Sequence, residues 1–463
     1  MPRISINAIG LTSPRVASFR KATGRRQSPW YLSRPQLLTT CCFFILLYLY
    51  FHFGSTPIAI PPDSYQLLVD ESLKDILNTT LGFQKILVLN LPFRTDRKDA
   101  MTLAAATSNI ELEFVDGVTG DSIRQSAYPP PSENVKLSAG IRGSWRTHMN
   151  ALQRVVQENL TTALIFEDDV DWDVRLRPNL QRFALASRFL SENKEVLSSS
   201  PSKYPIEQRL NTETSETTFH TLSQYGITEK LPSLPLSSVN QKPLLSGQSH
   251  HGAPSSPYGD PSQWDILWIG HCGAGFPRYR SSSRKIEVTA KSVLLTLLND
   301  ATVPLPKWIK AHPFQSEPDP LASAYPPHTR IYHRGSGGLL CTVGYAVSQR
   351  GARRILHQFG VKEWNGIFDS ELGKWCAAED ERLKTGSADG SKKEKKGKER
   401  VCLTSQPPIF AHHHPMEGES DIGGLGGGYA RKHETKYLRY SVRMNLEKIV
   451  RAEKALKDQW PDE

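Results

Sequence analysis

The feature that most constrains the fold of this chain is a short apolar run that ends in a crowd of carboxylates. Residues 162–173 read TALIFEDDVDWD, in which the apolar run is followed by five acidic side chains within seven positions. An apolar run of this length is typical of a strand buried inside a sheet. Carboxylates packed this closely repel one another, so they must be protonated, exposed to solvent or neutralised by cations. The sequence therefore predicts a buried strand that brings a cluster of negative charge to one edge of a sheet.

Apolar runs elsewhere in the chain alternate with amphipathic segments. Trp145, Met149 and Leu152 recur at the spacing of one helical face, whereas the runs on either side have the length and composition of buried strands. Strands that alternate with helices are typical of an α/β domain, so we predict an open, mostly parallel, Rossmann-like sheet flanked by helices. The predicted strands are residues 85–91, 112–118, 162–166 and 264–270, a helix spans 144–159, and residues 343–359 pass from strand to helix.

The N-terminal part of the chain has the charge distribution of a membrane anchor. Residues 1–36 are basic and contain no Asp or Glu, and they precede the uncharged stretch LLTTCCFFILLYLYFHF at residues 37–53. With its flanks this stretch has about the 17–25 residues that a membrane helix needs. Because basic residues favour the cytosolic side, we predict a single-pass type II signal-anchor in the Golgi or ER membrane, with everything after residue 53 in the lumen. The alternatives are a cleaved signal peptide and a buried helix.

The rest of the chain divides by composition. Segments rich in Ser, Pro, Thr or Lys bury too little apolar surface to order themselves, so we predict disordered insertions near residues 191–262 and 383–400. The second insertion carries the basic run SKKEKKGKER, so the net charge of +10 does not mark a face that binds nucleic acid. The predicted divisions are a cytosolic tail at 1–36, the anchor at 37–53, a stem at 54–83, the folded domain at 84–415, and a C-terminal tail and helix at 416–463.

A lumenal location makes two predictions about residues outside the anchor. Residues 78–80 (Asn-Thr-Thr) and 159–161 (Asn-Leu-Thr) match the acceptor pattern for N-linked glycans. Four cysteines remain outside the anchor, an even number that permits two disulfides in an oxidising compartment. We expect the pairs Cys272–Cys341 and Cys376–Cys402, while the other connectivities and buried free thiols stay open.

Crowded carboxylates at the end of a strand favour a bound cation. Ligands of open α/β sheets bind beyond the carboxyl ends of strands, which is where Glu167 begins the acidic cluster. Divalent ions such as Mn²⁺ and Mg²⁺ prefer oxygen ligands, and a site with few carboxylates keeps positions open for substrate phosphates. This pattern predicts a nucleotide-sugar enzyme in which the metal stabilises charge on the leaving diphosphate. The alternative is an acidic surface loop or helix start.

Several blocks of the sequence together resemble glycosyltransferase family 25, whose members include bacterial lipooligosaccharide galactosyltransferases and animal collagen galactosyltransferases. The resemblance spans about residues 85–415, interrupted by the insertions, and the layout is similar to that of fungal members in particular. Blocks in a fixed order are more specific than any single motif. The blocks are ILVLNLPFRTDRKDAM, FVDGVTG, GIRGSWRTHMNALQRVVQENLTTALIFEDDVDWD, WDILWIG and VGYAVSQRGARRIL.

The resemblance implies a GT-A type fold and the transfer of a hexose, galactose or glucose, from a UDP-sugar to a hydroxyl group of a glycan or glycoprotein. It also implies a divalent metal, Mn²⁺ or Mg²⁺, held by the acidic motif. The family's acidic triplet falls on Glu167, Asp168 and Asp169, and Asp171 makes a further Asp-x-Asp with Asp169. The predicted metal ligands are Glu167, Asp168, Asp169 and Asp171.

The opening block of the resemblance places three residues beside the donor. Asn90, Arg94 and Arg97 fall on the family's motif, where guanidinium groups would pair with donor phosphates. The alternative is a helix entry with solvated arginines. Gly344 matches a later block that packs near the donor or acceptor, although a buried strand would have the same sequence. The predicted donor-binding residues are Asn90, Arg94, Arg97, Asp168 and Gly344.

Catalytic residues are predicted at two carboxylates. An inverting transfer needs a general base, and Asp369 aligns with an acidic position late in the family's domain. A helix N-cap is the alternative role for this residue. The predicted catalytic residues are Asp369 and Asp169. His412, His413 and His414 lie near the end of the domain, where many GT-A enzymes place a metal-binding histidine, and a proline-flanked surface loop is the alternative.

One block departs from the family. Ser144 stands where relatives usually have cysteine, Thr147 stands where they have serine, and His148 is interpreted either as a structural histidine or as a catalytic one. The departures leave open a catalytically inactive, membrane-tethered carbohydrate-binding or scaffold protein with the same fold. A metal-dependent hydrolase is a further alternative, although the histidines cluster at one late site. Nucleic acid is not an expected partner.

Overall fold

The apolar runs of the sequence form the strands of a mixed sheet in the computed structural model of the protein. Isoleucine, leucine, valine and phenylalanine dominate the central strands, because these side chains pack well on a surface that is buried on both faces. The strands are β1 (Lys85–Asn90), β2 (Glu113–Asp116), β3 (Thr162–Glu167), β4 (Val170–Trp172), β5 (Ser233–Pro235), β6 (Ile266–Gly270), β7 (Leu294–Leu297), β8 (Arg330–Arg334), β9 (Gly344–Ser348), β10 (Cys402–Gln406), β11 (Phe410–His414) and β12 (Glu434–Thr435).

Helices flank the sheet, and the longest of those described is the helix predicted at residues 144–159. It begins after Ser138, whose hydroxyl accepts the Ile141 N–H, and this bond satisfies one of the unpaired donors of the first turn. It ends before Asn159, whose φ of 54° cannot continue a right-handed helix. The α-helices are α1 (Thr95–Thr107), α2 (Ala139–Gln157), α3 (Leu176–Ser191), α4 (Leu236–Val239), α5 (Gln349–His357), α6 (Phe368–Cys376) and α7 (Leu446–Val450).

The structure describes most of one unit of the chain, Ile60–Glu463. No helix in the described ranges is long and apolar enough to cross a membrane. The tail predicted at 1–36, the anchor predicted at 37–53 and the first part of the predicted stem lie outside these ranges. The described residues are 67–131, 136–191, 233–239, 256–274, 293–309, 325–335, 339–377, 399–415, 421–422 and 433–463.

The order of the strands confirms an α/β sheet but corrects its direction pattern. The order is β2-β1-β3-β9-β6-β10-β8-β7-β5, and β4, β11 and β12 pair outside this path. β1 is parallel to β2 and β3, and β6 is parallel to β10, but β9 runs antiparallel to both β3 and β6. The expectation of a mostly parallel sheet is therefore wrong, because an apolar run buried on both faces has the same composition in either direction. The carboxyl ends of β1, β3, β6 and β10 nevertheless meet at one edge.

Two stretches of the insertion predicted at residues 191–262 belong to the folded domain. β5 pairs in parallel with β7. Tyr258 is fully buried and stacks on Phe83 with ring centroids 4.5 Å apart, and its hydroxyl donates to the Leu81 carbonyl at 2.8 Å. These stretches gain their order from a core supplied by other segments, which the composition of the insertion alone does not report. Residues 192–232, 240–255 and 378–398 lie outside the described residues.

Both expected disulfides are confirmed. Cys272 bonds to Cys341 across 69 positions of the chain, and Cys376 bonds to Cys402 across 26 positions. The second bridge joins the end of α6 to the start of β10, so it fastens a helix to the sheet. The four cysteines outside the predicted anchor are therefore all paired.

We predict that removal of the second disulfide destabilises the fold but does not prevent folding. Changing both Cys376 and Cys402 to alanine lowers the free energy of unfolding by about 2–4 kcal/mol, because the bridge no longer restricts the unfolded chain. Urea denaturation of the full chain measures the effect, and the Cys272–Cys341 bridge stays intact as an internal control. An unchanged unfolding midpoint in this variant would show that the bridge does not contribute to stability.

Candidate active site

The acidic turn, residues 167–169, begins at the carboxyl end of β3, beside the carboxyl end of the parallel strand β1. Leu89 of β1 is directly opposite Glu167 of β3, so the next residue of β1, Asn90, is beside the turn. The Asn90 side-chain amide donates to Asp168 Oδ2 at 2.8 Å. Asn90 and Asp168 are both buried. The structure thus brings together two of the predicted donor-binding residues at the carboxyl edge of the sheet.

Arg97 neutralises the two aspartates of the acidic turn. Its Nη1 donates to Asp168 Oδ1 at 2.7 Å and to Asp169 Oδ2 at 3.0 Å. Burial acts to lower the pKa of Arg97, but the two carboxylates outweigh it and raise that pKa. Burial and the charge of Asp169 raise the pKa of Asp168. For Asp169 the effect of burial is overcome by His412 and Arg97, which lower its pKa, so Asp169 holds its negative charge.

The three late histidines lie in β11, which pairs antiparallel with β4, so the interpretation as a surface loop is wrong. His412 Nε2 is 2.9 Å from Asp169 Oδ2. Burial acts to lower the pKa of His412, but Asp169 raises it, so the imidazole is favoured as a cation. His413 instead lies 2.9 Å from the Thr435 hydroxyl, and burial lowers its pKa to about 2. Alternation along the strand places His412 and His414 on one face, with ring centroids 4.2 Å apart, and the side chain of His413 on the other.

Asp171 lies apart from the acidic turn and binds the C-terminal segment, residues 433–463. Its side chain is fully buried, and Oδ2 accepts hydrogen bonds from the Thr435 hydroxyl at 2.7 Å and from the Ser441 hydroxyl. Oδ1 accepts the N–H of Arg443 at 3.1 Å and that of Trp172 at 2.7 Å. Burial raises the pKa of Asp171 although these donors oppose the change. This carboxylate is an anchor for the end of the chain.

Arg443 was not predicted from the sequence. Its Nη2 donates to the main-chain carbonyl of Asp168 at 2.6 Å, and its side chain lies among Asp168, Asp169 and Asp171. Burial lowers the pKa of the Arg443 guanidinium, and the three carboxylates oppose that change. No local motif marks this arginine, because its partners lie more than 270 positions earlier in the chain.

Glu167, the first residue of the acidic turn, belongs to a second polar cluster. The Thr342 hydroxyl donates to Glu167 Oε1 at 2.7 Å, and His148 Nε2 lies 3.5 Å from the same oxygen. His148 is almost fully buried, lies 3.0 Å through Nδ1 from the Tyr345 hydroxyl, and stacks on Phe368. Both interpretations of His148, structural and catalytic, therefore stay open, because this buried histidine lies next to a carboxylate of the site.

Asp369 is held by main-chain donors at the start of α6. Its Oδ2 accepts the Cys341 N–H at 2.7 Å, and its Oδ1 accepts the N–H of Ser370. Burial raises the pKa of this carboxyl, and the two N–H groups oppose the change. Asp369 lies in the first turn of this helix and the N-cap residue is Ile367, so the alternative role of Asp369 as the N-cap is wrong. The disulfide at Cys341 thus fixes the loop that orients Asp369.

Two predicted donor-binding residues have other contacts. A Cβ on Gly344 would lie 3.2 Å from the Phe166 ring, so this glycine allows close packing of β3 against β9. Arg94 pairs with Asp96 through Nε and Nη2 at 2.9 and 2.8 Å, and its Nη1 pairs with Asp421. In this arrangement Gly344 has a packing role, and Arg94 forms ion pairs at the start of α1.

The four predicted metal ligands contact different groups of the protein. Asp168 and Asp169 share Arg97, whereas Glu167 and Asp171 bind separate groups. Among the residues that the structure describes, no three His, Cys, Asp or Glu side chains are arranged to hold a metal ion. Asp169 Oδ1 is buried and has no hydrogen-bond partner in this part of the chain. The metal predicted at these four residues stays a prediction.

The anchoring role of Asp171 is tested by changing it to asparagine. The amide cannot accept from all four donors, so we expect the free energy of unfolding to fall by about 1–3 kcal/mol. Chemical denaturation measures the change, and Asp116→Asn, at an exposed position of β2, is the matched control. A destabilisation seen only when Mn²⁺ is present would instead identify Asp171 as a metal ligand.

Part of the chain is similar to known proteins. Residues 83–234 match the model of glycosyltransferase family 25 (LPS biosynthesis protein). Procollagen galactosyltransferase 1-A of Xenopus laevis is 25% identical over 112 residues, and procollagen galactosyltransferase 2 of Homo sapiens is 26% identical over 113 residues; each match covers 22% of this chain and 18% of the relative. Inactive glycosyltransferase 25 family member 3 of Homo sapiens is 29% identical over 113 residues, which are 22% of this chain and 19% of the relative.

The matched residues contain Asn90, Arg97 and the acidic turn, whereas Asp369, His412 and Arg443 lie beyond them. The chain matches less than a fifth of the length of these relatives. The fungal type stays a prediction. The resemblance to glycosyltransferase family 25 is confirmed over residues 83–234.

Proposed function

We propose that this protein is a glycosyltransferase that moves a hexose from a UDP-sugar to a hydroxyl group of a glycan or glycoprotein. One observation carries the proposal: Asn90, Arg97 and the pair Asp168–Asp169 meet at the carboxyl edge of β1 and β3, inside the segment that matches the family. The hexose is galactose or glucose, and the names of the relatives favour galactose. The protein acts as a type II membrane protein of the Golgi or ER.

The donor's diphosphate binds beside the cations that surround the acidic turn. Arg97 and the cationic form of His412 contact Asp169, and Arg443 contacts the main chain of Asp168. Positive groups fixed in a buried site stabilise the charge that develops on a leaving diphosphate, because they need no reorganisation during the reaction. Asp169, whose pKa is lowered, stays ionised and orients these cations. The predicted Mn²⁺ or Mg²⁺ stays a prediction, and no step is derived through it.

Asp369 is the proposed general base for the acceptor hydroxyl. Its pKa is raised by burial, and a base accepts a proton more effectively when its pKa lies closer to the working pH. The N–H groups of Cys341 and Ser370 fix the orientation of the carboxylate, and the nearby charge of Glu167 raises the pKa further. The proton of the acceptor passes to this carboxylate as the hydroxyl oxygen bonds to the anomeric carbon of the sugar. The bond from that carbon to the diphosphate oxygen breaks, and UDP leaves with the electron pair.

Donor binding is tested by a thermal-shift screen with UDP-hexoses, with and without Mn²⁺. A ligand at 100 times its dissociation constant stabilises the folded protein by about 2.7 kcal/mol, so one UDP-sugar should raise the melting temperature. Arg97→Gln removes the shift, whereas Arg97→Lys keeps the charge and retains part of it. The control is Arg353→Gln, at an exposed position of α5. An equal shift in Arg97→Gln and the unaltered protein would place the donor elsewhere.

The role of Asp369 is tested on the same helix by two isosteric changes. Asp369→Asn lowers kcat by roughly 10²–10⁴-fold while the donor-induced thermal shift is kept, because the amide cannot accept the proton. Glu371→Gln, which weakens the ion pair with Lys374, is the matched control and keeps kcat. If Asp369→Asn retained full turnover, another group would be the base.

A second candidate function is a catalytically inactive carbohydrate-binding or scaffold protein. The similarity to a relative named as an inactive family member favours it, together with Ser144 at the position of the family's usual cysteine. An assay for UDP-sugar hydrolysis and transfer separates the two candidates, since a binding protein shows neither reaction with any donor that stabilises it.

A further inference from the structure

We propose that Asn78 and Asn159 both carry N-linked glycans, and that the two glycans stand on the edge of the sheet opposite the acidic turn. Each asparagine begins an Asn-x-Thr triplet and is exposed. The proposal depends on the lumenal location and not on transfer activity, because an inactive protein in the same compartment would be modified in the same way.

The local structure at Asn78 turns its amide nitrogen outward. The side-chain oxygen Oδ1 accepts the Thr80 N–H at 2.9 Å, the Thr80 hydroxyl at 3.1 Å and the Gly82 N–H at 3.1 Å. Oδ1 and Nδ2 branch in a plane from the same carbon, so an oxygen held against the loop directs the nitrogen away from it. No described hydrogen bond uses Nδ2, and a glycan attached there would leave these contacts intact.

Asn159 presents its side chain in the same way. It follows α2 with a φ of 54°, a conformation that asparagine tolerates better than most residues, and lies in the short connection to β3. Its Oδ1 accepts a hydrogen bond from the Gln349 side-chain amide. In this connection the Asn159 N–H donates to the Val156 carbonyl, the Leu160 N–H to the Val155 carbonyl, and the Thr161 N–H to the Gln84 side chain. A glycan on Nδ2 would disturb none of them.

Both triplets lie at the amino-terminal edge of the parallel strands. The Gln84 N–H, just before β1, donates to the Thr162 carbonyl at the start of β3. Asn78 and Thr161 line one shallow cavity of about 190 Å³ at this edge. The acidic turn follows the other end of β3, and a six-residue strand spans roughly 20 Å. Glycans at these positions cover a face that has no part in donor binding.

The modification needs a co-substrate of stated chemistry, a lipid diphosphate that carries an oligosaccharide. The amide Nδ2 forms a bond to the anomeric carbon of the oligosaccharide, and the bond from that carbon to the diphosphate oxygen breaks. The lipid diphosphate leaves with the electron pair, and the amide loses one proton. The secretory compartment of the host supplies both the co-substrate and the transferring enzyme.

The test uses the full chain expressed in a eukaryotic secretory host and treated with an N-glycosidase. Digestion removes two glycan masses from the unaltered chain, one from Asn78→Gln or Asn159→Gln, and none from the double variant. Thr80→Ala and Thr161→Ala behave like the corresponding asparagine variants, because the triplet needs its hydroxyl. Thr79→Ala, which leaves the first triplet intact, is the matched control and keeps both glycans.

Three outcomes would overturn the proposal. The first is an unaltered chain that loses no mass on digestion while a glycoprotein from the same cells does. The second is a loss of mass that persists in the double variant, and the third is occupancy of one asparagine alone, which rejects the other assignment. The opposite-edge placement is tested separately: the donor-induced thermal shift is the same before and after deglycosylation, and a shift that appears only after deglycosylation would show that a glycan covers the site.

Discussion

The structure depends on the neutralisation of five carboxylates that follow one buried strand within seven residues. Unpaired charge is costly to bury, so each carboxylate needs donors, and the fold brings them from distant segments. Arg97 of α1 and His412 of β11 meet Asp169, whereas Asp173 is held by Arg175 and by the N–H of Tyr440. The acidic strand end therefore fixes where the first helix, the late histidine strand and the C-terminal segment can lie.

The sequence predicted those parts of the fold whose signals are local. β3 and α2 form where an apolar run and a helical apolar face predicted them, because burial of these patterns has only one efficient solution. Strand direction was not predictable, since β9 reads the same in either orientation. β5 was missed for a different reason. Its three residues form a strand only because they pair with the edge of β7, and their own composition does not predict this pairing.

The candidate site divides in the same way. Asn90 and Asp168 were both assigned to donor binding through the family resemblance, and the parallel pairing of β1 and β3 brings them together at one edge of the sheet. Arg443 had no such signal, because its contact with Asp168 spans 275 positions and follows no motif. Asp171 fits the spacing of a ligand pair, but spacing does not report that a distant serine and threonine compete for its oxygens.

The anchoring of the C-terminal segment by Asp171 has a consequence for how the molecule is made. Synthesis runs from the amino terminus, so the chain has produced its acidic residues long before Thr435, Ser441 and Arg443 exist. During that interval Asp171 has only water and its own strand for partners, and a desolvated carboxylate without donors is unstable. The emerging protein must therefore keep this region hydrated until its last segment arrives, which makes closure of the site a late event in biogenesis.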